Sequence, residues 1–96
     1  MVIGVCKIHL HINEVFSLKE KRRIVKSLTE RLRARFNASI AEVELNDKWK
    51  NAVIGVACIS NDGGHMDSIL SSILNFIEND GRVFVADCLT EKIYVD

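Results

Sequence analysis

The sequence predicts an α+β domain: a four-stranded antiparallel sheet with two helices on one face. Two observations lead there. Residues 2–12 and 51–60 read as strands, and each is followed by apolar residues at helical spacing. Two further strand-like runs, 39–46 and 82–88, come after those helices. The order is β-α-β-β-α-β. Right-handed crossovers and a central hairpin turn that order into a ferredoxin-like sandwich, with strands one and three central and the second sheet face open.

Each element has a local cause. In residues 2–12, Val2, Gly4, Cys6, Ile8, Leu10 and Ile12 share one face, and Ile3, Val5, Lys7, His9 and His11 the other. The all-apolar face is the one to bury. Ser17 followed by Glu20 is a capping box, in which the hydroxyl accepts from an orphan amide and the carboxylate reaches back. Leu18, Ile24, Val25, Leu28, Leu32 and Phe36 then set a helix from Leu18 to about Phe36. In residues 39–46, Ala41, Val43 and Leu45 face one way and Glu42 and Glu44 the other, before the turn Asn46-Asp47-Lys48. NAVIGVACIS, residues 51–60, is a nearly continuous apolar strand. Ser60-Asn61-Asp62-Gly63-Gly64 breaks it and offers helix caps. Met66, Ile69, Leu70, Ile73, Leu74 and Ile77 form the second helical stripe. It stops at Asn79-Asp80-Gly81, where Gly81 suits a left-handed cap. Arg82 to Cys88 make the fourth strand, which Ile93, Tyr94 and Val95 continue after a bend.

The chain has 96 residues, enough for one domain spanning 1–96 and one modest core. Its 48% hydrophobic and 27% charged residues are ordinary for a globular fold and argue against disorder. No apolar run approaches the ~20 residues that span a bilayer. The start, MVIGVCKIHLHI, lacks the charged n-region and cleavage site of a signal peptide. Cys6, Cys58 and Cys88 are far apart in apolar runs and are read as reduced, buried small hydrophobes. The expectation is a cytoplasmic protein with no membrane contact.

Charge is the uneven quantity. Residues 17–36 hold eight basic and two acidic residues, a balance of +6, and the rest of the chain holds five basic and eleven acidic, a balance of −6. On the first helix Lys19, Arg22, Arg23, Lys26 and Arg33 fall opposite the apolar side, interrupted only by Glu30, while Lys21 falls on the apolar side. Two readings compete: a stripe that neutralises nucleic-acid phosphates, or a solvated outer face. A soluble helix usually mixes signs through i,i+4 pairs, and this one has few acids. RNA-recognition sheets stack bases on aromatics of the central strands, and none is present on the open faces of strands one and three. Any RNA contact is therefore expected through phosphates and shape.

The other candidates are weaker. His9 and His11 share a strand face, a spacing that metal sites use, but two histidines alone do not make a site, and no cofactor or metal is assigned. The Ser60–His65 loop offers amides to an anion yet lacks a Walker signature, and Asp62 competes as a helix cap. Trp49, between strands two and three, is read either as sheet-edge cover or as a partner anchor. Ile3, Val5, Val53, Ala57 and Ile59 form an apolar patch on the open sheet, a surface for a second copy or another protein. No nucleophile–base–orienter set is evident, so catalysis is not expected.

Ser17-Leu18-Lys19-Glu20-Lys21-Arg22-Arg23, with Arg35-Phe36-Asn37, Ala41-Glu42-Val43, Asp47-Lys48-Trp49, Gly55-Val56-Ala57 and Ser60-Asn61-Asp62, resembles the YlxP-like family of small bacterial proteins of unknown function. The resemblance covers nearly the whole chain. It implies a ferredoxin-like fold. It also implies a tie to translation, because genes of the family commonly lie near those of transcription and translation factors. It brings no catalytic residues. The three cysteines and the Gly63-Gly64 pair depart from more typical members.

Overall fold

A computed structural model describes residues 1–44 and 50–96. The elements are β1 (Val2–Ile12), α1 (Leu18–Arg35), β2 (Ser39–Glu44), β3 (Asn51–Ser60), α2 (Gly63–Glu78) and β4 (Val83–Tyr94). The four strands form one antiparallel sheet in the order β2-β3-β1-β4. This is the predicted ferredoxin-like arrangement, with β1 and β3 central.

The alternation in β1 does what it promised. Val2, Cys6, Ile8, Leu10 and Ile12 join Ile54, Val56 and Cys58 of β3 in the core, under Val25, Leu28 and Leu32 of α1 and Met66, Ile73 and Ile77 of α2. Gly4 completes the buried row because Met66 lies directly over it; an added Cβ would come within 2.8 Å of Met66 Cγ. The Ser17 hydroxyl accepts from Glu20 N at 3.1 Å, so α1 starts where its cap dictates. Lys21, on the apolar side of α1, is buried to 2% exposure. Among the described residues no buried side-chain nitrogen or oxygen lacks a hydrogen-bond partner.

Four details differ from the sequence reading. Gly81 is not a left-handed cap, since no described glycine has positive φ. Helix α2 ends on Asn79 in right-handed conformation, and Asp80 Oδ1 accepts from Arg82 N at 3.0 Å, which closes the turn without help from glycine. Strand β2 is described over Ser39–Glu44, while Leu45 and the expected turn Asn46-Asp47-Lys48 lie outside the described residues, and its register shifts between Glu42 and Glu44. The shift pairs Glu42 with Ile54 and Glu44 with Val53, so the two carboxylates lie on opposite faces. Strand β4 is one 12-residue strand with no break after Cys88, because β1 supplies a pairing edge along its whole length. Its irregularity is the register shift between His9 and Leu10. Finally, Cys88 is only half-buried, while Cys6 and Cys58 are buried.

Candidate functional site

The basic helix divides into two groups. Near its C-terminal end the cations do structural work. Arg33 Nε donates to the carbonyl of Ile40 at 3.0 Å and so covers part of the outer edge of β2. Arg31 pairs with Asp80 and lies over the Phe76 ring, 5.6 Å from its centroid. Arg35 lies over both Phe76 and Phe36, which meet edge to face at 5.9 Å. The sequence placed Arg33 in the phosphate stripe; its Nε is committed to Ile40, because α1 crosses the edge strand at that turn.

Lys19, Arg22, Arg23 and Lys26 remain. All four are exposed, and none has a carboxylate partner among the described residues. Their spacing is i, i+3, i+4, i+7, which lines them along one side of the helix over roughly 10 Å.

Arg23 is shared with a polar cleft of about 660 Å³ at the end of the sheet. There the end of β1, the first turns of α1 and the chain entering β3 and β4 converge. Arg23, Lys50, Arg82 and His11 line it, with Glu14 and Glu20. Arg82 is held in place: its Nε and Nη2 donate to Asp80 at 3.0 and 2.8 Å. Hydrogen bonds from Arg82 and then from Arg31 hold the Asp80 carboxyl well below the usual carboxylate range, despite opposition from burial. Neither Lys50 nor Arg82 stood out in the sequence, since each only precedes a strand and lies far from the basic helix along the chain. Only the fold brings them to Arg23.

The open sheet face carries Ile3, Val5, Lys7, His9 and His11 of β1 against Ile59, Ala57, Gly55, Val53 and Asn51 of β3, as the register predicts. The predicted apolar patch is uneven. Ile59 is 65% exposed, Ile3, Val5 and Ala57 are half-buried, and Val53, flanked by His9 and Glu44, is buried at 3%. Ile59, Ile3 and Ile93 form one row across β3, β1 and β4. Beside it lies an apolar trough of about 560 Å³, with Gly55 and Ala57 in its floor and Val43 and Leu89 at its sides. Lys7 reaches Glu44 at 2.5 Å across the trough rim, which lowers the Glu44 carboxyl. Trp49 lies outside the described residues.

An aromatic does stand on this face, on the edge strand. Phe84 is 44% exposed, and its ring lies 4.8 Å from that of His11. The sequence reading missed it by considering only the central strands; its place opposite His11 in the β4 register was the signal. Elsewhere, Asp62 caps α2 by accepting from His65 N at 3.0 Å, so the Ser60–His65 loop is occupied by its own carboxylate. Cys6 and Cys88 sulfurs lie 2.7 Å apart and Cys58 contacts Met66 Sδ at 3.2 Å. Burial, then the Cys88 contact, pushes the Cys6 thiol up to about 11, and burial also raises Cys58. No group of three or more His, Cys, Asp or Glu gathers to hold a metal among the described residues. No described helix is long and apolar enough to cross a membrane.

The family described as "Protein of unknown function (DUF503)" matches residues 3–90. The chain is also 32% identical over 78 residues to the "Uncharacterized protein YlxP" of Bacillus subtilis (strain 168), covering 81% of this chain and 85% of that protein. Both agree with the motifs that suggested the YlxP-like resemblance: the chain belongs to the DUF503 family, whose function is unknown.

Proposed function

We propose that this chain is a non-enzymatic, cytoplasmic accessory protein that docks on structured RNA, ribosomal RNA foremost, through the outer face of α1. One observation carries the reading. Lys19, Arg22, Arg23 and Lys26 form a continuous exposed stripe without carboxylate partners among the described residues, while the other exposed arginines of the helix are tied to Asp80, Ile40 and Phe76. A stripe about 10 Å long spans about three phosphate-to-phosphate steps of one strand, at ~3.4 Å of axis each, and so meets about four phosphates. The link to translation rests on the family resemblance.

The test is binding to ribosomal subunits and to structured RNA across a salt series. Four phosphate contacts lower affinity by about 50- to 150-fold between 50 and 200 mM salt. Reversing Arg22, Arg23 and Lys26 together to glutamate weakens binding further and reduces the salt slope to about one. No saturable binding at 50 mM salt, or a triple variant that binds like the parent, refutes the proposal.

A second reading concerns the open sheet, favoured by the isoleucine row and the trough on the same face. A raised row beside a depression is self-complementary, so the fitting occupant is a second copy of this chain. Four strands ~4.8 Å apart and ten residues long present about 600 Å² per copy, near the low end of what a stable pair buries in total. The α1 stripe and the isoleucine row lie on opposite sides of the sandwich, and the row lies at the far end of the sheet from His11 and Phe84, so the two readings are compatible when the pair is centred on the row.

A further inference from the structure

We propose that the polar cleft at the end of the sheet is a subsite for one unpaired nucleotide, with the phosphate held by Arg23, Lys50 and Arg82 and the base stacked on Phe84 beside His11. This deepens the RNA-docking reading and rests on it. It departs from the expectation that contact runs through phosphates and shape alone.

Continuity comes first. Arg23 belongs both to the stripe on α1 and to the cleft, so a backbone that follows the stripe reaches the cleft without a gap. At about 660 Å³ the cleft has the size range of small-molecule sites. Arg23 of α1, Lys50 just before β3 and Arg82 just before β4 converge there; Asp80 takes Arg82 Nε and Nη2, which fixes the guanidinium and leaves Nη1 to meet a phosphate. A guanidinium already in place loses little freedom when it meets a phosphate. Glu14 and Glu20 also line the cleft and offset part of its positive charge.

The rings supply the other half. His11 lines the cleft and packs against Phe84, a residue 44% exposed. Sequence-tolerant recognition of unpaired bases uses an exposed aromatic face next to a cationic groove. A half-exposed phenylalanine also costs free energy in water, and a stacked base removes that cost. A duplex base is paired and stacked already, so the subsite discriminates in favour of single strands.

The probes are labelled ten-nucleotide oligoadenylate and oligouridylate and a 12-base-pair RNA duplex, at 50 mM salt. Phe84→Ala is expected to weaken single-strand binding by about five-fold or more, the value of one stacked base, and to leave the duplex within two-fold. Phe84→Trp retains single-strand affinity. Lys50→Glu weakens single strands more than the duplex. Melting curves of each variant check that the fold persists. If Phe84→Ala and Lys50→Glu bind single strands like the parent while reversal of Arg22 and Lys26 weakens every probe, the subsite is overturned and the docking reading stands. If no probe binds in a salt-dependent way, both fall.

Discussion

Replacing Asp80 with asparagine tests the junction that ties α1 to β4. The Asp80 side chain is 6% exposed and accepts from Arg82 N and Nε at 3.0 Å, from Arg82 Nη2 at 2.8 Å, and from Arg31. Asparagine keeps the shape and one acceptor but loses the charge. Bonds to charged groups contribute about 1.5–3 kcal/mol net. The two guanidinium groups are 42% and 47% exposed and rehydrate, which places the loss near the lower end, about 2 kcal/mol. For a domain of this size that lowers Tm by about 8–16 °C. The pH dependence follows from the depressed carboxyl. Its contribution is complete above the unfolded value of about 3.9 and is lost as pH falls toward the lower folded value. Thermal melts of parent and Asp80→Asn from pH 7 to pH 2 should therefore differ by a constant amount above about pH 5 and converge below about pH 4. A gap under about 0.5 kcal/mol at pH 7, or one that persists unchanged to pH 2, refutes the argument.

Two other predictions follow from packing. Sedimentation at micromolar concentration should give a dimer, and Ile59→Lys should return it to monomer without lowering helix content; a monomeric parent sinks the second-copy reading. A thiol reagent at pH 8 should modify Cys88 of the folded protein first, with Cys6 and Cys58 reacting only on unfolding or as pH rises toward the Cys6 value of about 11. Rapid modification of all three overturns the burial assigned to Cys6 and Cys58.

The fold was legible because its signals are local and redundant. Ser17 caps α1, Asp62 caps α2, and β1 alternates without a fault over 11 residues. The misreadings all need a neighbour. Glu42 and Glu44 alternate in sequence, yet a register shift against β3 separates them. Leu89 to Lys92 read as an interruption of β4, yet a strand takes up polar residues when a full-length partner offers hydrogen bonds. The cations of α1 look alike in sequence. What sorts them is contact with Asp80, Ile40 and Phe76, each brought in by a different element. Lys50 and Arg82 were invisible for the same reason: residues 32 apart in the chain share a cleft only after both central hydrogen-bonded ladders have formed.

Strand β1 sits between β3 and β4, and its pairing with β4 joins Val2 to Tyr94; beyond them Val95 N donates to the Met1 carbonyl at 2.8 Å. On the ribosome that arrangement imposes a wait. Synthesis at roughly 5–20 residues per second leaves about 4–16 s between the emergence of β1 and that of β4. Until then β1 can close one ladder, with β3, while its other edge stays open beside a half-covered apolar face. Lys7, His9 and His11, which look incidental in the finished sheet, place polar side chains along that edge during the interval when it would otherwise recruit a neighbouring nascent chain.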